Sequence, residues 1–518
     1  MIQWLVWLCV AVYFAAAIFV IAYGLQMHIL TWRFSRRWRE HTQLQRNRIE
    51  WYATERPECA WPLVTTQIPL YNEANVAERV IEAAARIDYP ADRHEVQVLD
   101  DSTDETREIV DASVARLRAL GHDVRVIRRD DRKGYKAGAL AAGLREASGQ
   151  LIAIFDADFV PPADFLRRSV PLLMDEPTNA CVQARWSHLN QEASWLTRAQ
   201  SLAIDGHFAV EQGGRCFSGL FMNFNGTAGV WRRTAITDPA VGGWTADTLT
   251  EDLDLSYRAQ LAGWTMEYAM FQPCPSELPA TIPALKLQQH RWAKGTMQCA
   301  RKLLPRIWRS PCGLGVKLAA TGHLTGYLIS VAMLIVGLLS LPIAMINPWG
   351  RLGWGATLFI GLIYISLLGP IVAHAYSRRV LTGRWRNVRA SPALMLVGMG
   401  MCLSTGLACL SGLVRRGGEF RRTPKSGGVG AARTRYALKT SPIWLAELAA
   451  AAYSCATLYY AGLERAGLHG VFLAMFAVGF AIVGWLSSPF AEASRRSRDV
   501  GARAATRGVA SIAPTIET

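Results

Sequence analysis

The sequence predicts an α/β sheet domain inserted into a bundle of membrane-crossing helices. Two observations carry this. Apolar runs with few charges cover residues 2–25, 318–346, 352–376, 443–463 and 471–490. Each is about long enough to cross ~30 Å of hydrocarbon. Between 61 and 281 the pattern changes to short runs rich in β-branched residues: "PLVTTQIPL", "HEVQVLD", "DVRVIRR", "QLIAIFDAD" and "ACVQARW". Helical stretches such as "NVAERVIEAAARI" and "TREIVDASVARLRAL" separate them. Strand alternating with helix implies a mostly parallel sheet covered on both faces.

Charge placement orients the helices. The 518 residues hold 56 Lys+Arg against 41 Asp+Glu, a net charge of +15, with 51% hydrophobic residues and 18 Trp. Such an excess suits nucleic acid or an anionic membrane surface, and its distribution decides between them. Arg33, Arg36, Arg37 and Arg39 follow the first run; Arg378, Arg379, Arg384, Arg386 and Arg389 follow the third; Arg495, Arg496 and Arg498 follow the last. The connectors "NPWGRL" and "ERAGLHG" carry little charge. Basic loops stay inside, so the sheet domain and C-terminus are expected in the cytoplasm of an inner or plasma membrane, with the N-terminus outside. The charge is topological, and no nucleic-acid partner is expected. The first run lacks a basic n-region and precedes "WRFSRRWRE", which reads as an uncleaved anchor. The apolar segment 391–414 has Arg on both flanks, so it is read as an interfacial or re-entrant helix; that gives five crossings, the alternative being six.

The expected divisions follow. Residues 1–30 form a transmembrane helix and 31–60 a basic cytoplasmic linker. The sheet domain spans 61–281, interfacial helices 282–313, and two transmembrane helices 314–376. Residues 390–414 are the interfacial segment, 415–440 a loop, 441–490 two more transmembrane helices and 491–518 a basic tail. The ten cysteines include no CxxC pair, which argues against a zinc site or a disulfide framework. Free thiols fit a reducing cytoplasm.

Polar signals gather where such a sheet binds ligands, beyond the carboxyl ends of its strands. "YNE" (71–73), "DDSTD" (100–104) and "DAD" (156–158) each close a strand. No GxGxxG or P-loop follows a strand. Each motif has a plain reading: "DDST" and "DAD" as turns or caps, "TED" (250–252) as an N-cap, "QQHRW" (288–292) as interfacial anchors, and Lys136 as a solvated lysine. The functional reading of Asp156 and Asp158 is a hard divalent cation held by carboxylates and substrate phosphates. Gln288, Arg291 and Trp292 fall at i, i+3 and i+4, on one helical face.

The ordered set PxYNE, DDS, KAG, DxD, TED and QxxRW, followed by membrane spans, resembles the membrane-embedded family 2 glycosyltransferases of GT-A fold. These are the cellulose, chitin and hyaluronan synthase group. "QIPLYNE", "IDYPADRHEVQVLDDSTDET" and "LQQHRWAKG" look closest to cellulose-synthase-like mannan and glucan synthases of the A and C types, over roughly 60–440. The resemblance implies that Tyr71, Glu73 and Asp101 contact the nucleoside and Lys136 the diphosphate. It implies Mg²⁺ or Mn²⁺ at Asp158 and Asp156. In "TED", Asp252 becomes the general base, with Glu251 beside it. Arg291 would serve the diphosphate, with Gln288 on the same face and Trp292 a platform for the acceptor sugar. "FNGTAG" (224–229) resembles an acceptor-side loop. "FRRTPK" (420–425) resembles a gating loop, with Phe420, Thr423 and Lys425 in place and Arg422 where valine is usual; its plain reading is a lipid-binding basic stretch.

One base without a second nucleophile implies a single displacement and inversion. The expected enzyme therefore moves hexose from UDP-glucose or GDP-mannose to a growing β-linked glucan or mannan, with β-1,4 the expected linkage, and passes the chain through its own helices. The alternative is a lipid-directed transferase acting on ceramide, diacylglycerol or polyprenol. A non-catalytic export subunit is a third reading, opposed by intact Asp158, Asp252, Arg291 and Trp292.

Overall fold

The computed structural model describes residues 2–346, 354–385, 388–419, 422, 423, 425, 427, 441–491 and 493. It opens with one unbroken helix, α1 (Ile2–Glu55). The segment 31–60, expected as a linker, is mostly the continuation of this helix. No proline interrupts the chain before Pro57, so nothing stops the hydrogen-bond ladder. A helix of 54 residues is about 80 Å long, against ~30 Å of hydrocarbon. The remainder reaches the sheet domain. There Phe34 is fully buried against Phe217 and Tyr376, and Arg37 Nη1 donates to the Phe217 carbonyl at 3.0 Å.

The sheet has seven strands: β1 (Val64–Leu70), β2 (His94–Asp100), β3 (Val124–Ile127), β4 (Leu151–Ile154), β5 (Asn179–His188), β6 (Gly229–Arg232) and β7 (Thr265–Ser276). Their order is β3-β2-β1-β4-β6-β5-β7. The sheet is mixed, because β6 runs antiparallel between β4 and β5 while the other pairs are parallel. Sequence patterning shows β1 to β5 but neither of the last two strands. β6 has only four residues, and β7 contains Pro273 and Pro275. Proline is tolerated in a sheet at its edge, which is where β7 lies.

Successive side chains point to opposite faces of a strand. Ile68, Val98, Phe155 and Val182 accordingly enter one core, and Leu99, Ile152, Ile154 and Trp231 the other. The helices of the sheet domain are α2 (Ala77–Ala85), α3 (Thr106–Ala119), α4 (Tyr135–Glu146), α5 (Phe165–Met174), α6 (Trp195–Gly206), α7 (Gly213–Cys216), α8 (Arg233–Thr237) and α9 (Glu251–Leu261). A π-helical segment, His207–Gln212, joins α6 to α7.

Beyond the sheet come α10 (Ile282–Arg309), α11 (Leu314–Leu324), α12 (Leu328–Ile346), α13 (Trp354–Thr382), α14 (Ser391–Val414), α15 (Ile443–Ala461) and α16 (Leu463–Leu486). Among the described residues, four helices are long and apolar enough to cross a membrane: Gln3–Glu55, Leu328–Ile346, Thr357–Thr382 and Val388–Val414. α1 and α13 meet backbone to backbone, since a Cβ on Gly24 would lie 2.1 Å from the Ser366 carbonyl oxygen. Small residues permit that approach between apolar helices.

α14 is one continuous helix. Its first half and its C-terminal end contact elements of the sheet-domain side, and its middle also meets α16 at Gly400. Val397 and Met401 cluster with Leu196 of α6 and with Ile282 and Leu285 of α10. At the other end, Arg301 Nη1 donates to the carbonyls of Leu413 at 2.8 Å and Val414 at 3.0 Å.

Candidate active site

Three strand ends converge at the carboxyl edge of the sheet. After β1 the chain turns through Asn72, whose φ of 54° is left-handed. Asparagine tolerates this because its side chain bonds locally. Its Oδ1 accepts from the Thr103 backbone N–H at 2.8 Å, and its own N–H donates to Ser102 Oγ at 2.9 Å. "YNE" and "DDST" are thereby locked into one surface. The two acids of "DDST" then divide: Asp100 takes Arg128 Nε at 2.9 Å, and Asp101 takes the Arg129 guanidinium through both oxygens.

Every described residue of the candidate set lines one cavity of about 160 Å³: Tyr71, Glu73, Asp101, Lys136, Asp156, Asp158, Glu251, Asp252, Gln288, Arg291, Trp292, Thr423 and Lys425. Phe420 lies outside the described residues. Lys136 is not a solvated lysine. Its Nζ is 2.6 Å from Asp156 Oδ1, 2.8 Å from the Gly226 carbonyl and 3.9 Å from Glu251 Oε1. Burial alone would lower its pKa, but Asp156, Glu251 and Asp252 outweigh that and hold it above its ordinary value.

"TED" does not act as a side-chain cap. Thr250 stands at the N-cap of α9 without capping it, and its hydroxyl instead meets Cys299 Sγ at 3.4 Å. Burial raises the Asp252 carboxyl to about 7, with the Glu251 charge adding to the rise and Lys136 opposing it. Glu251 is raised too, mainly by burial. A carboxylate poised near neutrality has the basicity that proton abstraction requires. Gly226 presses on this acid. At its φ of 84°, an added Cβ would sit 2.8 Å from Asp252 Oδ2 and 3.3 Å from Lys136 Nζ. The "FNGTAG" loop can approach the acid this closely because that position carries no side chain.

Asp156 and Asp158 open into the same space, each with an ammonium against it. Lys425 Nζ lies 2.7 Å from Asp158 Oδ2 and also donates to the Glu277 carbonyl at 2.8 Å. Paired carboxylate oxygens that already attract a cation fit Mg²⁺ or Mn²⁺, which prefer hard oxygen donors. Arg422 Nη1 is 3.3 Å from Glu73 Oε2. Burial raises Glu73 to about 8, against the pull of Arg422. Among the described residues, the buried Thr423 hydroxyl has no hydrogen-bond partner, nor has Asn225 Nδ2. Orphaned groups of this kind in a cavity wall are places for a polar ligand.

Other lining residues carry no motif in the sequence. The Arg132 guanidinium lies over the Tyr71 ring, 3.2 Å from its centroid, and Trp186 stands 6.3 Å from Trp292, ring to ring. Glu277 pairs with Arg79 at 2.8 Å. The run "RRDDR" (128–132) after β3 is a usable signal for the arginines. Single residues such as Trp186 and Glu277 leave none.

A second cavity, about 420 Å³, shares Asp252, Gln288 and Trp292 with the first as lining residues. Its other walls come from α1 (Tyr23, Gln26), the π segment (His207, Glu211), the α11–α12 turn (Tyr327) and α14 (Met401, Thr405).

Residues 62–295 match the family model described as "Glycosyltransferase like family 2", and this part of the chain is a domain of that family. Glucomannan 4-beta-mannosyltransferase 2 of Arabidopsis thaliana is 44% identical over 254 residues, 48% of this chain and 47% of that one. Glucomannan 4-beta-mannosyltransferase 1 of Cyamopsis tetragonoloba is 43% identical over 251 residues, again 48% and 47%. These matches span about half the length of each curated relative. Among solved structures, a mannosyltransferase from Pyrobaculum calidifontis in complex with GDP-Man and Mn²⁺ covers 70% of this chain and 99% of its own, at 19% identity and a TM-score of 0.44.

Proposed function

We propose that this chain is a membrane-embedded, inverting hexosyltransferase that adds mannose from GDP-mannose to the end of a β-1,4-linked mannan or glucomannan. The supporting observation is that two neighbouring cavities share Asp252, Gln288 and Trp292 in their walls. A donor in the smaller cavity and an acceptor in the larger one would meet at that acid. The names of the relatives favour mannose over glucose as the transferred sugar and β-1,4 as the linkage.

Asp252 takes the proton of the acceptor hydroxyl, and its raised pKa supplies the basicity. Lys136 and Arg291 neutralise the departing diphosphate. Tyr71, Glu73 and Asp101 hold the nucleoside, with Arg132 stacked on Tyr71. Asp156 and Asp158 would hold Mg²⁺ or Mn²⁺, which acts as a Lewis acid toward the leaving nucleotide. Trp292 and Trp186 give the acceptor sugar a flat apolar support. The sheet domain faces the cytoplasm, where donor is supplied, and α14 lies along the membrane surface, a reading that its contacts with α6 and α10 support.

The test offers purified protein GDP-mannose and UDP-glucose, each radiolabelled, with Mg²⁺ or Mn²⁺. The expected product is a GDP-mannose-dependent polymer cut by endo-β-1,4-mannanase. One sugar on an extractable lipid would replace this reading with the lipid-directed one.

A further inference from the structure

Away from both cavities, three residues widely separated in the sequence meet where α1 docks on the sheet domain. His41 comes from α1, Cys216 from the end of α7 and Glu267 from β7. Their ligand atoms lie within 4.8 Å of one another. The contacts gather at Glu267 Oε1, with Cys216 Sγ also donating to the Met266 carbonyl at 3.6 Å. His41 Nε2 is 2.7 Å from Oε1, Gln45 Nε2 2.6 Å, Cys216 Sγ 3.9 Å and the Tyr268 backbone N–H 3.3 Å. A whole carboxylate offers about four lone-pair sites, so four neighbours on one oxygen exceed what hydrogen bonding uses. Imidazole, thiol and carboxylate crowded on a single point have the composition of a ligand set.

We propose that His41, Cys216 and Glu267 bind a transition-metal ion of the zinc class. One imidazole, one thiolate and one carboxylate suit a borderline-soft cation, and the two anionic ligands balance its charge. Bond lengths of ~2.0–2.3 Å to a tetrahedral ion separate ligand atoms by about 3.3–3.8 Å. The S–O separation already lies near that range, and the N–O contact needs only a small opening. Supporting contacts fix two of the ligands. The His41 ring stacks on Phe217 at 4.3 Å, and Gln45 also donates to the Tyr268 carbonyl at 2.9 Å. None of the three ligands lines either cavity. An ion there would rivet the long helix to the domain that it carries. Ligands this far apart in the sequence leave no spacing signature such as CxxC.

The experiment loads the purified full chain with Co²⁺ and records its absorption. A thiolate-to-cobalt charge-transfer band in the near ultraviolet, with intense visible bands bleached by Zn²⁺, is the expected result. Elemental analysis should give one zinc per parent chain, and Cys216→Ala and His41→Gln should each lose both the band and that zinc. Chelation should lower the melting temperature of the parent chain and not of Cys216→Ala. Absence of the band in the parent chain overturns the proposal whether or not the variants fold. So does a band that survives Cys216→Ala, since another thiol would then be the ligand. A parent chain that keeps its melting temperature after losing zinc overturns the riveting role. No sugar enters the assay, so failure here is separate from failure of the proposed transferase activity.

Discussion

The two cavities that meet at Asp252 are built in different ways. The smaller is walled largely by the ends of β1, β2 and β4 and the helix starts that follow them, and it is dense with charge: Glu73, Asp101, Lys136, Asp156, Asp158 and Lys425 all face it. The larger lies between the sheet domain and the apolar helices and collects residues from α1, α6, α10, α12 and α14. A pocket for a diphosphate needs a few charges at fixed positions, and strand ends fix positions. A passage for a chain needs length and tolerance, which helices packed side by side supply. Proposed donor chemistry and proposed acceptor handling should therefore fail independently under mutation.

The largest expected effect is on the charged side. Asp158→Asn removes one of the two carboxylates proposed to hold the metal. Losing several kcal/mol of charge stabilisation corresponds to a fall in turnover of about 10³-fold. Initial rates over a Mn²⁺ titration measure it. Full activity in excess chelator would contradict the assignment of this cavity to a metal–diphosphate.

At the junction, Asp252→Asn should lower turnover by about 10²-fold or more while leaving donor affinity near normal, because a general base acts only in the transition state. The pH profile gives a second readout. Burial and Glu251 raise Asp252 to about 7, so its proton is held to a higher pH than an ordinary aspartate holds it. A base must be unprotonated, and turnover should therefore fall as pH drops through about 7. A profile flat over the pH unit on either side of that value would move the role elsewhere.

The same contrast separates what the sequence makes legible from what it hides. The charged side is legible, since each contributing motif sits within a few residues of a strand end and keeps its order: "YNE", "DDSTD", "DAD". "QQHRW" is legible as a helical face. The antiparallel β6 and the proline-bearing β7 are not, because four residues and two prolines fall below what patterning detects. Nor is the continuation of α1 past 30, since its turn to polar residues reads as a linker although nothing in it breaks a helix. Beyond the residues it shares with the smaller one, the larger cavity leaves no motif. Tyr23, Glu211 and Met401 share it only after folding.

Trp292 belongs to both cavities and tests whether they work in sequence. Trp292→Ala should leave donor affinity unchanged and shorten the product. Aromatic packing worth ~1 kcal/mol amounts to about fivefold weaker hold on the chain end. Product sizing at a low enzyme-to-acceptor ratio measures this. Unaltered chain length would detach Trp292 from the acceptor.

The smallest effect is expected at Arg422, where the resembling synthases carry valine. Its guanidinium sits 3.3 Å from Glu73, and both side chains are largely buried, 16% and 13% exposed. Arg422 pulls the Glu73 carboxyl down against burial, which still leaves it at about 8. Arg422→Val removes that pull, so Glu73 stays protonated to a higher pH and loses a hydrogen-bonding contact worth ~1 kcal/mol. Lys425 remains on Asp158, so the segment keeps its other attachment. The donor KM should therefore shift by about two- to fivefold, with turnover and product length unchanged. That pattern is the reverse of the one expected for Trp292→Ala. If Arg422→Val instead shortens the product at constant donor KM, the segment from 422 to 425 acts on the chain rather than the donor, and the division between the two cavities fails at this point.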